Sequence, residues 1–146
     1  MTISICIVTL DAGKLLKKCL DSIPAALGNL SYEIIVVDNY SRDGTLKMLQ
    51  EHYSHITLIQ NRVNKGYTRP MNQALSQAKG TYLVQLNPDT KLSPGSINAL
   101  YEYLQGNPDV GICEPRIIGD DGHFQRSTRR GIATPWATIT YFLGLS

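Results

Sequence analysis

Short apolar runs alternate with longer stretches of helical periodicity over the first hundred residues. Residues 3–9, ISICIVT, are short, apolar and β-branched, which predicts a strand buried on both faces. Asp11-Ala12-Gly13 turns the chain. Over residues 14–27, Leu16, Leu20, Ile23 and Leu27 recur at helical spacing, with Leu15 and Cys19 widening the face and Lys14, Lys17, Lys18 and Asp21 falling outside it. This is the pattern of an amphipathic helix. Residues 32–38, YEIIVVD, form a second buried strand, and residues 39–44 carry loop chemistry. Residues 45–53 read as a helix on Leu46, Leu49 and Tyr53, and residues 56–60 as a short third strand.

A polar loop over residues 61–67 leads to a helix with Thr68 as its N-cap and Pro70 in its first turn, where a missing N–H costs nothing. Met71, Ala74, Leu75 and Ala78 mark its inner face, and Gly80 is expected as the glycine that ends it. Residues 81–86 are a fourth strand. Ser93-Pro94 is expected to cap the next helix, which carries Ile97, Leu100, Tyr101 and Leu104 inward and stops at Gly106-Asn107-Pro108. Residues 110–118 read as a further strand, bent or at an edge because of Pro115. The turn 119–122 would let residues 123–126 pair back. Thr134-Pro135-Trp136 looks like a helix start, followed by a mostly apolar stretch to residue 145.

Strands alternating with helices predict an α/β fold, an open and mostly parallel sheet flanked by helices. No repeat or linker divides the 146 residues, so a single domain over 1–146 is expected. Ligands of such sheets bind beyond the carboxyl ends of the strands. The segments there are residues 9–13, 38–44, 60–67 and 87–91, all polar.

Composition narrows the function classes. A net charge of +2 from 14 basic and 12 acidic side chains gives no reason to expect nucleic acid as a partner. Cys6, Cys19 and Cys113 are odd in number and widely spaced, which predicts reduced thiols in a cytoplasmic setting and no zinc site. The apolar start MTISICIVTL lacks the basic region and cleavage site of a signal peptide, and no run approaches the ~20 apolar residues that span a bilayer.

Standard nucleotide fingerprints are absent: no GxGxxG follows a strand, and Gly13-Lys14 lacks the preceding glycine of a P-loop. Asp38, at the end of a buried strand, can accept a hydrogen bond from a base or a ribose, or can cap the turn after it. Asn87-Pro88-Asp89 can hold a divalent cation, with Asp89 supplying the charge and Asn87 a neutral carbonyl oxygen, or can be an Asx-type turn. Lys65 and Arg69 flank Gly66 at a helix start, a setting that suits a diphosphate and equally an exposed loop. Taken singly, Tyr40, Arg42, Arg129 and Arg130 read as solvated surface.

The segments IVTLDAGKLLKKCLDSI, EIIVVDNYSRDGT, NRVNKGYTRPMNQALSQAKGTYLVQLNPDTKLSPGSI and NPDVGICEPRIIGDDGHFQRSTRR occur in that order. Together they resemble family 2 glycosyltransferases of the GT-A fold, with a rhamnosyltransferase-like flavour, over nearly the whole chain. The resemblance implies inverting transfer of a sugar from a nucleoside diphosphate sugar to a glycan or lipid-linked acceptor in surface-polysaccharide synthesis. It implies UDP- or dTDP-sugars rather than GDP-sugars. It further implies that Thr9, Asp11, Asp38 and Asn39 hold the nucleoside, that Lys65, Gly66 and Arg69 lie near base and phosphates, and that Asn87 and Asp89 form the metal motif. Asp89 would ligate Mg2+ or Mn2+, which neutralises the departing diphosphate.

Asp11 stands where the family usually has asparagine, Val8 where many members have proline, and Tyr40 where a small or polar residue is usual. The Glu-Asp element that supplies the acceptor base is absent. The base is therefore expected beyond Ser146 rather than from Asp120, Asp121 or His123. One alternative is a donor-binding module without transferase activity. A nucleotidyltransferase would need a glycine-rich loop after the first strand, which residues 9–14 do not provide. The apolar C-terminal stretch would suit a homodimer contact, and peripheral association with the inner face of a membrane is compatible with such acceptors.

Overall fold

The computed structural model describes residues 1–119 and 121–125. The helix start at Thr134-Pro135-Trp136, Arg129, Arg130 and the apolar stretch expected as a dimer contact lie outside them. The chain divides into two compact units, Met1–Gly111 and Ile112–Ser146.

In the first unit the order is β1 (Ile3–Thr9), α1 (Gly13–Leu27), β2 (Tyr32–Asp38), α2 (Thr45–His52), β3 (Thr57–Gln60), α3 (Thr68–Gln77), β4 (Tyr82–Leu86) and α4 (Ser96–Gly106). The strands form one parallel sheet in the order β3-β2-β1-β4. The chain steps from β1 to β2 to β3 in one direction, then returns past both to place β4 beside β1. Parallel crossovers are right-handed, so opposite steps put their helices on opposite faces. One face accordingly carries α1, α2 and α4, where Leu16, Leu20, Ile23, Leu27, Leu49 and Ile97 pack on Ile3, Ile5, Ile7, Ile34 and Val36. The other carries α3, whose Met71 and Ala74 pack on Cys6, Val8, Ile35 and Val37. Every residue of β1 is buried, as its lack of an exposed polar face predicted. Each buried Ile or Leu contributes roughly 1.5–3 kcal/mol relative to exposure.

Several local expectations are corrected. Leu15 is exposed and does not widen the face of α1. The N-cap of α3 is Tyr67, so Thr68 is already helical and its hydroxyl makes no cap bond. Gly80 is not a left-handed helix end: α3 closes at Ala78 in an extended conformation. Gly80 is required for another reason, since a Cβ there would lie 2.5 Å from the Ser4 nitrogen and 2.7 Å from the Ile3 carbonyl carbon. The N-cap of α4 is Gly95 rather than Ser93, and Ser93 contributes only its carbonyl, to the Ser96 N–H.

Residues 110–118 form no strand among the described residues. The pairing is one antiparallel bridge, Ile118 with Phe124. Around it the Gly122 N–H donates to the Gly119 carbonyl and the Gln125 N–H to that of Ile117. The expected turn is thus present, but Pro115, without an N–H, interrupts the backbone that would have extended the ladder. Asp121 and His123 lie in this turn and are exposed, with the His123 N–H donating to Asp121 Oδ1 at 2.9 Å.

Candidate functional site

Register brings the carboxyl ends of three strands level. Thr9 is opposite Asp38, and Leu86 is opposite Ile7, so Asn87 emerges beside the end of β1. Two strand spacings of about 4.8 Å separate the line of Asp38 from that of Asn87, a span of roughly 10 Å. Thr9 continues the Ile3-Ile5-Ile7 side of β1 and Asp38 the Ile34-Val36 side of β2, so both side chains stand on the same face. Thr9 Oγ1 and Asp38 Oδ1 are buried and lack a hydrogen-bond partner among the described residues. Asp38 Oδ2 accepts from the Ser41 N–H at 3.3 Å. One oxygen of the carboxylate thus closes the turn, and the other has no partner among the described residues. Leaving a buried polar group unpaired costs about 1–3 kcal/mol, so two such atoms at one sheet end make it a candidate ligand site.

The loops leaving β1 and β2 are tied together. The Asp11 N–H donates to Ser41 Oγ at 3.0 Å, and Asp11 Oδ1 accepts from the Arg42 N–H at 2.6 Å. Asp43 accepts from the Gly13 N–H at 3.2 Å and the Thr45 N–H at 3.0 Å, and from the Thr45 hydroxyl. The Thr45 hydroxyl bond above all, followed by the backbone donors, holds the Asp43 carboxyl below its ordinary value. Gly44 takes φ +91° to begin α2, a conformation glycine adopts without penalty. Tyr40 and Arg42 are not independent surface side chains. The Arg42 guanidinium lies 4.6 Å from the centre of the Tyr40 ring and donates to its hydroxyl at 2.6 Å. Nothing at the level of sequence spacing marks this pair.

Asn39 is buried, and its amide is saturated. Nδ2 donates to Asn64 Oδ1 at 2.8 Å and to the Gly66 carbonyl at 2.9 Å. Oδ1 accepts from Asn61 Nδ2 at 3.2 Å and from the Lys65 N–H at 3.1 Å. An amide can make four such bonds, so Asn39 acts as a brace for the loop after β3. Lys65 Nζ donates to Asn61 Oδ1 at 3.0 Å. Lys65, Gly66 and Arg69 are exposed at the start of α3, which has no acidic residue in its first turn. Asn61 and Gln73 complete this network. Neither was singled out from the sequence, although the run of amide side chains in NRVNKGYTRPMNQ was the available signal.

Asn87-Pro88-Asp89-Thr90 is a turn, closed by the Thr90 N–H on the Asn87 carbonyl at 3.2 Å. That carbonyl also accepts from the Cys19 thiol at 3.7 Å. The loop is seated on α1 by two further bonds, Leu92 N–H to Ser22 Oγ at 3.0 Å and Gly95 N–H to the Ala25 carbonyl at 2.9 Å. Burial, with a smaller push from the negative charge of Asp89, raises the Cys19 thiol to about 12. Asn87 and Asp89 are exposed, and the Asp89 carboxylate makes no hydrogen bond or ion pair among the described residues. A hollow of about 500 Å³ lies against Asp11–Lys14, Asp43–Thr45 and Met48. It is walled by neither Asp38 nor Asp89.

Residues 4–145 match the model of glycosyl transferase family 2. The chain belongs to that family. It is 33% identical over 126 residues to an abequosyltransferase of Salmonella typhimurium, covering 83% of this chain and 38% of the relative. It is 28% identical over 134 residues to an N-acetylglucosaminyl-diphospho-decaprenol L-rhamnosyltransferase of Mycobacterium tuberculosis, covering 84% and 43%. The chain thus spans less than half the length of these family 2 relatives. Among solved structures, S. aureus TarS 1–349 superposes with a TM-score of 0.65 at 23% identity, over 74% of this chain and 33% of that one. The mannosyltransferase PcManGT of Pyrobaculum calidifontis, in complex with GDP-Man and Mn2+, gives 0.65 at 24%, over 75% and 33%. These likenesses bear out the GT-A fold expected from the sequence.

Among the described residues no cluster of three His, Cys, Asp or Glu side chains could cage a metal ion. What the family 2 chain does present is one exposed, unengaged carboxylate on a braced turn. That donor set suits a hard cation whose remaining oxygens come from phosphate and water. No helix among the described residues is long and apolar enough to cross a membrane.

Proposed function

We propose that this chain is the donor-binding part of a glycosyltransferase that moves a sugar, with inversion, from a nucleoside diphosphate sugar to a glycan or lipid-linked acceptor. The observation that carries the reading is the pair of buried, unpartnered oxygens, Thr9 Oγ1 and Asp38 Oδ1, at the sheet end of a family 2 chain. A hydroxyl that can donate beside a carboxylate that can accept matches the adjacent acceptor and donor on the edge of a nucleobase. Asp38 takes the base N–H and Thr9 the neighbouring carbonyl. The diphosphate runs across the end of β1 toward Asn87 and Asp89, with Lys65, Gly66 and Arg69 on its flank. Asn39 serves by holding that flank in place, and Asp11 by fixing the Arg42 backbone. Asp89 ligates Mg2+ or Mn2+, and Asn87 offers at most a neutral oxygen. The bound cation neutralises charge on the leaving diphosphate. UDP- and dTDP-sugars are the proposed donors, surface-polysaccharide assembly at the cytoplasmic face of a membrane the proposed setting.

The test is calorimetric titration of the 146-residue chain with UDP, dTDP and GDP, each with and without Mn2+. Binding is expected to need Asp38 in every case, and Asp89 only for the increment that Mn2+ adds. Affinity unchanged in Asp38→Ala would sink the base assignment. Equal Mn2+ dependence in wild type and Asp89→Ala would sink the metal assignment. A second reading, donor binding without transfer, is supported by the lack of a Glu-Asp dipeptide, the element expected to supply the acceptor base. Turnover of labelled NDP-sugars with lipid-linked acceptors separates the two.

A further inference from the structure

Among the described residues Tyr40 is one of two non-glycine residues with positive φ, at +81°, and it is 39% exposed. A left-handed tyrosine costs on the order of 1 kcal/mol or more, and such strain persists where the surroundings over-determine it, often at ligand sites. The surroundings here are specific. The turn that carries Tyr40 is closed by Asp38 Oδ2 on the Ser41 N–H. On its other side the turn is tied to the first loop, the Asp11 N–H meeting Ser41 Oγ and Asp11 Oδ1 meeting the Arg42 N–H. Arg42 then places its guanidinium over the ring and on the phenol oxygen. The Cα atoms of residues 38 and 40 are at most about 7.6 Å apart. A half-exposed aromatic ring, oriented by Arg42, is thus carried two residues beyond the carboxylate whose other oxygen is unpaired.

We infer that Tyr40, held by Arg42, is the stacking platform for the donor's nucleobase. This rests on the donor-site reading above and adds the residue that binds the face of the base, where Asp38 and Thr9 bind its edge. Packing inside the protein does not explain the ring. Tyr40 belongs to neither core cluster, and a glycine would hold the same backbone without strain. The cation over the ring fixes its orientation, so less side-chain freedom is lost when a base stacks on it.

The test uses Tyr40→Gly and Tyr40→Asn, both compatible with the left-handed backbone, together with Tyr40→Phe. Each is titrated with UDP and dTDP, and with inorganic diphosphate as a probe that lacks a base. Losing one base–aromatic stack weakens binding by about five- to 150-fold. That loss is expected for both nucleotides in Tyr40→Gly and Tyr40→Asn, with diphosphate affinity unchanged and the melting temperature equal or higher. Tyr40→Phe should stay within about threefold of wild type, because the stack survives. Nucleotide affinity unchanged in the Gly and Asn variants, or a fall shared equally by diphosphate, overturns the platform while leaving the donor site standing. Wild-type protein that binds no nucleotide overturns both.

Discussion

Replacing Asn39 by alanine removes one buried amide and, with it, the four hydrogen bonds that join β2 to the loop after β3. At about 1 kcal/mol net per bond the upper figure is ~4 kcal/mol. Asn64, Lys65 and Gly66 are exposed, so their freed groups turn to water and recover much of their share. Asn61 is buried and keeps only its bond to Gln73 on the donor side, so its loss is not recovered. The balance is a cost of roughly 2 kcal/mol, or about thirtyfold in the closing equilibrium of the loop. Amide hydrogen exchange read residue by residue measures it directly. The Lys65 and Gly66 N–H groups, which bond Asn39 Oδ1 and Asn64 Oδ1 respectively, should exchange about thirtyfold faster in the variant. The amides at the centre of β1 should change only by the global stability difference. Nucleotide affinity should fall in parallel, although the Asn39 amide has no free atom to offer a ligand. Unchanged exchange at Lys65 and Gly66, or lost affinity with an intact loop, would refute the brace and return Asn39 to direct contact.

Other consequences can be checked alongside. Gly80→Ala drives a Cβ into the backbone of β1, 2.5 Å from the Ser4 nitrogen, and should cost about 1–3 kcal/mol in urea unfolding; a neutral result would mean that the α3–β4 connection shifts freely. Asp43 has its carboxyl below the ordinary 3.8, so its contribution is fully present above that value and is lost as pH falls through the lower folded value. Asp43→Ala should therefore destabilise the protein at neutral pH and flatten the acid limb of its stability curve, and an unaltered acid limb would count against the link. Buried Cys6 and Cys19, whose thiols are raised to about 11 and about 12, should resist alkylation at pH 8 while half-exposed Cys113 reacts; rapid modification of all three in folded protein would contradict the packing of α3 and α1 on the sheet.

The two central strands were legible because burial on both faces leaves no polar alternation, so ISICIVT and YEIIVVD could be nothing else at that length. The helices were legible from spacing, and the candidate loops followed from topology alone, since strand ends in such sheets face the ligand. Helix starts were less so. Thr68 and Ser93 have the right chemistry for caps, but a tyrosine and a left-handed glycine hold those positions, because loop geometry rather than side-chain preference decides where the first turn begins.

What the sequence determined by itself, then, was the α/β class, the family and which four loops leave the carboxyl ends of the strands. Composition and periodicity act along the chain and are visible in it. Only the tertiary structure decided how atoms within those loops are shared. It spent the Asn39 amide on the loop after β3, divided the Asp38 carboxylate between a turn and a free oxygen, left Asp89 unengaged on a turn seated on α1, and turned Tyr40 and Arg42 into one unit. Each of these depends on which donors and acceptors meet across separations of 2 to 70 residues, and hydrogen bonds are satisfied in space, not in order along the chain.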